Sequence, residues 1–253
     1  MKDTNGHDSI FHTKEKNYIE IEKSITNLLK DNPIPDGELA ENLFLFITPQ
    51  NMRRLFFHYE MYKKILSVPG NICLFGVRWG RGAAIYDSLR TLFEPFNHGR
   101  KIICFDSFEG LTNVASEDNN LEEGQLDTVE NYSEFLNNLL RLRNLLSPIG
   151  HIEQYEIIKG DASLTLLEYL ECNPQTIVSL AHLDMNLYEP TKDCLKLLKE
   201  HVTCGSVIII DELSHSQFPG QTIALDEIFG KNKVELKRIP YTNPTWTSYF
   251  ICR

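Results

Sequence analysis

The sequence has no pair of cysteines at C-x-x-C spacing and no apolar run long enough to span a membrane. Its six cysteines, several of them in apolar runs, are therefore expected to be free thiols of a reducing cytoplasm. Cations are scarce: 25 Lys and Arg against 35 Asp and Glu leave a formal net charge of −10. That balance argues against a nucleic-acid partner. The polar N-terminus lacks the apolar core of a signal peptide, so we expect a cytoplasmic protein without a membrane partner.

A glycine-punctuated turn follows an apolar run at residues 71–83. Glycine tolerates positive φ and lets a ligand approach the backbone closely, so the turn is compatible with a nucleotide-type cofactor. Gly76, Gly80 and Gly82 do not reproduce the G-x-G-x-x-G spacing of dinucleotide-binding sites. By itself the turn could equally be a plain connection.

Short apolar runs alternate with amphipathic helices from residue 71 onward, which is typical of an α/β fold with a mainly parallel sheet. The predicted strands are 71–76, 101–105, 155–158, 177–183, 206–210, 233–239 and 247–252. The connection between the last two is too short for a crossover helix, so the final strand should run antiparallel. Seven strands ending in this way favour a Rossmann-like, methyltransferase-type sheet over a nicotinamide-type one.

The N-terminal part is predicted to be helical. Apolar residues recur at helical spacing from Tyr18, and a Pro/Gly cluster at 32–37 ends that helix. Thr48 as N-cap and Pro49 at the first helical position predict a second helix, running to about Leu66. We interpret residues 1–47 as a helical appendage and 48–253 as the main domain. The appendage could cover the site, form a contact in a homo-oligomer, or simply pack on the core.

Residues 112–131 are rich in carboxylates and poor in apolar residues. We expect a mobile loop there. It could be a lid over a cofactor or a solvated insertion, and its length does not separate the two.

Polar side chains end the predicted parallel strands, where ligands of such sheets bind. Asp106 ends the second strand and could accept hydrogen bonds from both hydroxyls of a ribose. Asp161 follows the third strand and could accept from an adenine amino group. Either aspartate could instead be a helix N-cap.

Three carboxylates gather at the ends of the fourth and fifth strands: Asp184, Asp211 and Glu212. Neighbouring carboxylates repel one another unless a positive charge lies between them, and oxygen ligands suit Mg²⁺, Mn²⁺ or Ca²⁺. The alternative is that some cap helices or pair with Lys192 or Arg238.

His215 lies in the loop after these carboxylates. Its ordinary pKa of about 6.5 would allow it to act as a general base near neutrality. A single loop histidine is also commonly just a hydrogen-bonding surface residue.

Four segments together resemble the macrocin O-methyltransferase family, in order and spacing, from about Thr48 to the C-terminus. They are G-V-R-W-G-R-G at 76–82, F-D-S-F-E-G-L at 105–111, L-D-M-N-L-Y-E-P-T at 183–191 and D-E-L-S-H at 211–215. The resemblance implies a class I, S-adenosylmethionine-dependent enzyme that uses a metal to methylate sugar hydroxyls. The implied cofactor-binding residues are Gly76, Val77, Arg78, Gly80, Gly82, Asp106, Ser107, Asp161, Ala162 and Asp184. Asp184, Asp211 and Glu212 are implied to hold Mg²⁺.

The sequence departs from the family in three places. Leu74 stands where the family usually has glutamate, and the order Arg78-Trp79 is altered. Asn186 replaces an aspartate that is a candidate base, and asparagine cannot accept a proton at neutral pH. The base is then His215 or a metal-bound hydroxide, unless the acceptor oxygen is already ionised. The candidate catalytic residues are Asp184, His215 and Asn186.

The sequence thus predicts an S-adenosylmethionine- and metal-dependent O-methyltransferase for a small polar acceptor. A sugar hydroxyl in glycoconjugate, capsule or natural-product biosynthesis fits the resemblance. One alternative is a methyltransferase for an anionic acceptor such as a phosphate or carboxylate. The other is a homologue that binds S-adenosylmethionine without turnover.

Overall fold

The computed structural model describes residues 16–119, 121–241 and 246–253. Its strands are β1 (Asn71–Phe75), β2 (Ile102–Asp106), β3 (Tyr155–Lys159), β4 (Val178–Leu183), β5 (Val202–Ile210) and β6 (Ser248–Ile251). They form one sheet in the order β3-β2-β1-β4-β5-β6. The first five strands are parallel and β6 is antiparallel to β5, which confirms the predicted antiparallel last strand.

Helices connect the strands and cover both faces of the sheet. They are α1 (Lys16–Lys30), α2 (Asp36–Asn42), α3 (Pro49–Ile65), α4 (Arg81–Phe93), α5 (Tyr132–Asn144), α6 (Ala162–Cys172), α7 (Tyr188–Leu198) and α8 (Gly220–Ile228). Among these helices, none combines the length and the apolar character needed to cross a lipid bilayer.

The central strands are buried on both faces, which explains why they read as continuous apolar runs. One core includes Met61 of α3 and Tyr86 of α4, and the other includes Leu166 of α6 and Leu195 of α7. In register, the last residues of β1 and β4 stand opposite one another, as do those of β4 and β5. The chain therefore leaves these strands at one edge of the sheet, where polar residues collect.

Residues 233–239 do not form the seventh strand that the sequence predicts. Lys237 exchanges two backbone hydrogen bonds with Tyr249, of 2.8 and 2.9 Å, in a single bridge beside β6. An antiparallel ladder would continue through backbone exchanges at Glu235 and Ile239, and neither of these described residues makes one; the chain enters the segment from a turn at 231–233. Within the described residues the sheet therefore has six strands.

Of the three helices before β1, α1 and α3 end close to the predicted positions, whereas α2 was not predicted and begins within the Pro/Gly cluster at 32–37. Thr48 caps α3 by accepting a hydrogen bond from the Asn51 N–H at 3.5 Å, and Pro49 opens the helix. α2 and the 3₁₀ turn at Leu43–Phe46 contain no buried residue. The division at residue 47 stays a prediction, and residues 1–15 lie outside the described part of the chain.

Candidate active site

A cleft with a volume of about 430 Å³ opens where the polar strand ends meet. Most of the predicted site residues line it: Gly76, Val77, Arg78, Gly82, Asp106, Ser107, Asp161, Ala162, Asp184, Asn186, Asp211 and Glu212. Two predicted residues, Gly80 and His215, are outside that lining. Arg54, His58 and His182 also line the cleft, although the sequence reasoning did not single them out.

Gly76 holds the glycine turn against the end of β4. Its φ is +76°, and a Cβ there would lie 2.2 Å from the Asp184 carbonyl oxygen. The Asp184 N–H donates to the Phe75 carbonyl at 2.9 Å, so the two strand ends are joined through their backbones. A side chain at position 76 would force them apart.

The other two glycines of the turn differ from each other. Gly80 has a φ of +75°, and a Cβ there would lie 2.3 Å from Leu136 Cδ1, so its place in the fold is explained by packing against α5. At Gly82 a Cβ would meet nothing closer than Leu74 Cδ1 at 3.9 Å. The fold therefore does not require glycine at position 82. A ligand lying against this wall of the cleft would require it, because a side chain would occupy the ligand's space.

Asp106 fastens the turn with both of its carboxylate oxygens. Oδ2 accepts from the Arg78 N–H at 2.7 Å, and Oδ1 accepts from the Phe108 N–H at 2.6 Å. It is not a helix N-cap, because residues 107–115 are not helical. A carboxylate has about four lone-pair sites, so Asp106 can still accept hydrogen bonds from a ligand.

Asp161 is the N-cap of α6, as one of its two interpretations predicts. One oxygen accepts from the N–H groups of Ser163 and Leu164 at 2.9 and 3.3 Å, and the other accepts from the Asn113 amide. Asp161 nevertheless lines the cleft beside Ala162, and its contact with adenine stays a prediction.

At the acidic end of the cleft, the tightest group of possible metal ligands is His182, Asp184 and Asp211. Among the described residues these three offer ligand atoms that all lie within 4.8 Å of one another. His182 Nε2 is 3.4 Å from Asp211 Oδ1, which also accepts from Thr247 Oγ1 at 2.9 Å. The predicted set named Glu212 instead of His182. The signal for His182 was its position two residues before Asp184 on one strand, hence on the same face.

Three carboxyl groups meet at this end of the cleft, and the positive charge of Arg54 acts on the pKa of each. Burial, together with the neighbouring Asp211, raises the pKa of Asp184 and that of Glu212, each to about 8. Burial also acts on Asp211, but hydrogen bonds from His182 and Thr247 hold its pKa below the usual range. Lys192 does not neutralise the group, because it pairs with Glu227 at 3.2 Å.

Glu212 and Asn186 each present a buried oxygen without a hydrogen-bond partner, Oε2 and Oδ1 respectively. Glu212 is positioned through its backbone: its N–H donates to Gln221 Oε1 at 2.9 Å, and the Gln221 amide donates to the Leu183 carbonyl at 3.2 Å. Asn186 has a φ of +63°, a conformation that asparagine tolerates better than most residues. Unpartnered buried oxygens at a cleft wall fit a site that binds a cation or a polar ligand.

His215 lies behind Glu212, with its Nε2 4.0 Å from Glu212 Oε2. Its ring contacts those of Phe218 and Trp246, at centroid distances of 4.8 and 4.7 Å, and burial lowers its pKa. Nδ1 accepts from the Gln217 N–H at 3.1 Å, so the proton of the neutral ring is on Nε2. Its role as a general base stays a prediction.

The acidic loop at 112–131 is anchored by buried residues but keeps most of its carboxylates exposed: Asp118 and Leu121 are buried, whereas Glu122, Glu123, Asp127 and Glu130 are exposed. Asp118 is fully buried; its Oδ1 accepts from the Tyr188 N–H at 2.8 Å and its Oδ2 from the Ala115 N–H at 2.9 Å. Leu121 packs in a small apolar cluster with Phe218. Leu126 lines the cleft, and the loop's role as a lid stays a prediction.

Solved structures share this fold. The crystal structure of CalS11, described as calicheamicin methyltransferase, is 32% identical, with a TM-score of 0.92 and 99% of each chain covered. An apo structure of CalS11, described as TDP-rhamnose 3'-O-methyltransferase, is also 32% identical, with a TM-score of 0.85 and coverage of 96% of this chain and 97% of that one. The fold, the site and these similarities define an S-adenosylmethionine-dependent O-methyltransferase.

The sequence profile of the macrocin O-methyltransferase (TylF) family matches residues 50–239. The chain belongs to that family, as its motifs predict. The O-methyltransferase NovP shares the fold at 21% identity, with a TM-score of 0.60 over 79% of each chain. No curated protein sequence matches the chain.

Proposed function

We propose that this O-methyltransferase depends on a divalent metal and transfers the methyl group of S-adenosylmethionine to a sugar hydroxyl. The observation that carries the proposal is the composition of the cleft. The glycine turn after β1 forms one wall, and the carboxylates after β4 and β5 form the neighbouring wall. Methyl transfer needs a sulfonium donor and an activated oxygen in line. The glycine wall would bind the donor, and the carboxylate wall would hold the acceptor.

The cofactor side is proposed to run along β1, β2 and β3. The turn at Gly76 would lie along the methionine part, Asp106 would accept from the ribose, and Asp161 would lie near the adenine. The space beside Gly82 supports this arrangement, because the protein leaves it open although nothing in the fold requires a glycine there. Arg78, whose N–H is held by Asp106, lines the same wall.

The metal side is proposed to be formed by Asp184, Asp211 and Glu212. The donor set fits a divalent cation: two of these carboxyls have a pKa raised to about 8, and the buried Glu212 Oε2 has no hydrogen-bond partner. A cation bound there would lower the pKa of an acceptor hydroxyl and orient it. The protein's own part is to hold these carboxylates in place through Thr247 and Gln221.

The acceptor is proposed to be a sugar linked to a larger molecule. CalS11 is described as acting on TDP-rhamnose, and it resembles this chain along its full length. Asn186 cannot take the acceptor proton, and the neutral His215 ring carries its proton on Nε2 while Nδ1 accepts from the Gln217 N–H. With a cation bound at the carboxylates the pKa of the acceptor hydroxyl would fall, and its proton would pass to hydroxide or water, or to His215 once Nδ1 is released from Gln217.

A second candidate is an acceptor that is already anionic. Arg54 and Arg81 line the cleft beside the carboxylates, and burial lowers the pKa of Arg81, with the Arg54 charge acting in the same direction. Two neighbouring guanidinium groups suit a phosphate or a carboxylate. This acceptor would need no base, so its pH–rate profile would lack the pKa of a basic group unless the acceptor itself titrates.

Calorimetry with S-adenosylmethionine and S-adenosylhomocysteine tests the cofactor, and absence of binding to both would refute the proposal. Turnover is then measured with TDP-sugars and sugar phosphates, before and after metal removal by a chelator. Asp211→Ala should abolish metal-dependent turnover, whereas Asp193→Ala, at an exposed carboxylate on α7, should not. Undiminished activity in chelator would contradict the metal requirement and leave the cofactor assignment standing.

A further inference from the structure

We propose that His182 is a direct nitrogen ligand of the cation, so that the site prefers Mn²⁺, Fe²⁺ or Co²⁺ to Mg²⁺. The inference rests on the proposed metal-dependent function and changes its ligand set and the identity of the metal. It starts from the position of His182 in the sheet.

The alternation of side chains along the strands places His182 on the face that carries the carboxylates. His182 is on β4 and Asp184 directly follows its last residue, so the two are two residues apart along extended backbone and lie on the same side. His182 pairs in register with Ile209 of β5, and Asp211 follows Ile209 by two residues. The three side chains therefore leave two adjacent strands on one face, at the edge where the cleft opens.

The distances suit ligation of one ion. His182 Nε2 and Asp211 Oδ1 are 3.4 Å apart, and the ligand atoms of His182, Asp184 and Asp211 all lie within 4.8 Å of one another. Neighbouring ligands of an octahedral ion, with bonds of about 2.1 Å, lie about 3 Å apart. The three side chains would therefore need to move only slightly closer together to bind one ion.

Packing holds the His182 ring in this orientation. Its ring centroid is 5.5 Å from that of His58, which lies 4.9 Å from that of Tyr86. His58 and Tyr86 are both buried. A ligand whose ring is already oriented loses little freedom when it binds a metal.

The chemistry of the donor decides which ions the site takes. Imidazole nitrogen suits transition metals, whereas Mg²⁺ selects oxygen ligands and gives up water reluctantly. His182 should therefore raise the affinity of the site for Mn²⁺ and Co²⁺ more than its affinity for Mg²⁺.

Pulsed electron paramagnetic resonance of the full chain loaded with Mn²⁺ tests the ligand directly. We expect ¹⁴N modulation in the wild type, replaced by ¹⁵N coupling when the chain is labelled with ¹⁵N-histidine. His182→Gln should abolish the histidine coupling, and His215→Gln, the control at the other histidine near Glu212, should retain it. Bound Mn²⁺ without nitrogen coupling, or coupling lost only in His215→Gln, would overturn the inference.

Calorimetric titration with Co²⁺ and with Mg²⁺ gives a second readout, independent of turnover. Glutamine keeps an N–H donor that can reach Asp211, so it would replace a histidine that only positions that carboxylate. We expect the preference for Co²⁺ over Mg²⁺ to fall about tenfold or more in His182→Gln. An unchanged preference would assign His182 a positioning role and refute ligation.

The two proposals fail separately. If Mn²⁺ binds and supports methyl transfer but shows no nitrogen coupling, the metal-dependent function stands and the role of His182 is wrong. If no Mn²⁺, Co²⁺ or Mg²⁺ binds while S-adenosylmethionine does, metal dependence itself is refuted, and ligation by His182 with it. If His182→Gln does not fold, the ¹⁵N-labelled wild type still shows whether a histidine is a ligand, and coupling retained in both His215→Gln and His58→Gln would assign it to His182; coupling lost in either would overturn the inference.

Discussion

Gly76 and Asp184 lie so close that a Cβ on the glycine would stand 2.2 Å from the aspartate carbonyl oxygen. The contact joins the glycine turn after β1 to the acidic end of β4 through backbone atoms. The two walls of the cleft are thus held at a set separation, which a reaction between a bound donor and a bound acceptor requires.

Gly76→Ala should damage both stability and cofactor binding. Alanine at a φ of +76° is strained, and its methyl group overlaps the Asp184 carbonyl. We expect the free energy of unfolding to fall by about 1–3 kcal/mol, as for other strained backbone positions. Denaturant titration and calorimetry with S-adenosylmethionine measure the two effects. A variant with wild-type stability would show that β1 and β4 can separate at no cost.

Gly82→Ala is the matched variant, which should weaken S-adenosylmethionine binding without lowering stability. Its Cβ would meet only Leu74 Cδ1, at 3.9 Å, and alanine loses less conformational entropy than glycine when the first turn of α4 forms. We expect unchanged or higher stability together with S-adenosylmethionine binding at least about tenfold weaker, since the methyl group would occupy the ligand's space. Wild-type affinity would mean that the ligand does not approach this wall.

The stability of the metal-free protein should fall as the pH rises from 7 to 8.5. The pKa of Asp184 and that of Glu212 are raised to about 8, whereas unfolded carboxyls ionise near pH 4. In this range the folded chain still holds protons that the unfolded chain has released, so the free energy of unfolding decreases with pH. The lowered pKa of Asp211 acts only below about pH 4, and the lowered pKa values of His58 and His215 act below about 6.5.

Thermal melts with and without added Mn²⁺ provide the measurement. The melting temperature should fall between pH 7 and 8.5 without metal. Added Mn²⁺ should raise it more at the higher pH, because the ion binds the ionised carboxylates. The double variant Asp184→Asn/Glu212→Gln should show a smaller fall and little response to metal. A melting temperature in the wild type that rises across this range would contradict the assigned pKa directions.

Asp118→Ala should loosen the loop at 112–131. The substitution leaves the Tyr188 N–H unpaired in a buried place, which costs about 1–3 kcal/mol of stability. We also expect a higher KM for S-adenosylmethionine, since Leu126 of the same loop lines the cleft. Glu123→Ala, at an exposed carboxylate in this loop, is the control and should change stability by less than about 0.5 kcal/mol. Equal KM values for the two variants would argue against a lid.

The order of the six strands and of every helix except α2 was predictable, because these elements carry local signals. Thr48 and Pro49 predicted the start of α3, and the continuous apolar runs predicted the strands that are buried on both faces. The predicted strand at 233–239 was wrong, because alternating apolar residues favour a strand whether or not a partner strand is present. Whether a strand forms depends on a partner, and here only Lys237 pairs with Tyr249.

The sequence by itself determined that the turn at Gly76 and the carboxylates after β4 and β5 share one edge, because parallel strands end on the same side. Only the tertiary structure decided which side chains meet there. Pairing between β4 and β5 brings His182 to Asp211, although 29 positions separate them along the chain. Glu212 follows Asp211 directly, yet it lies outside the tightest group of ligand atoms. Proximity in a sheet follows the face and the register of the strands, and neither can be read from the distance between residues along the chain.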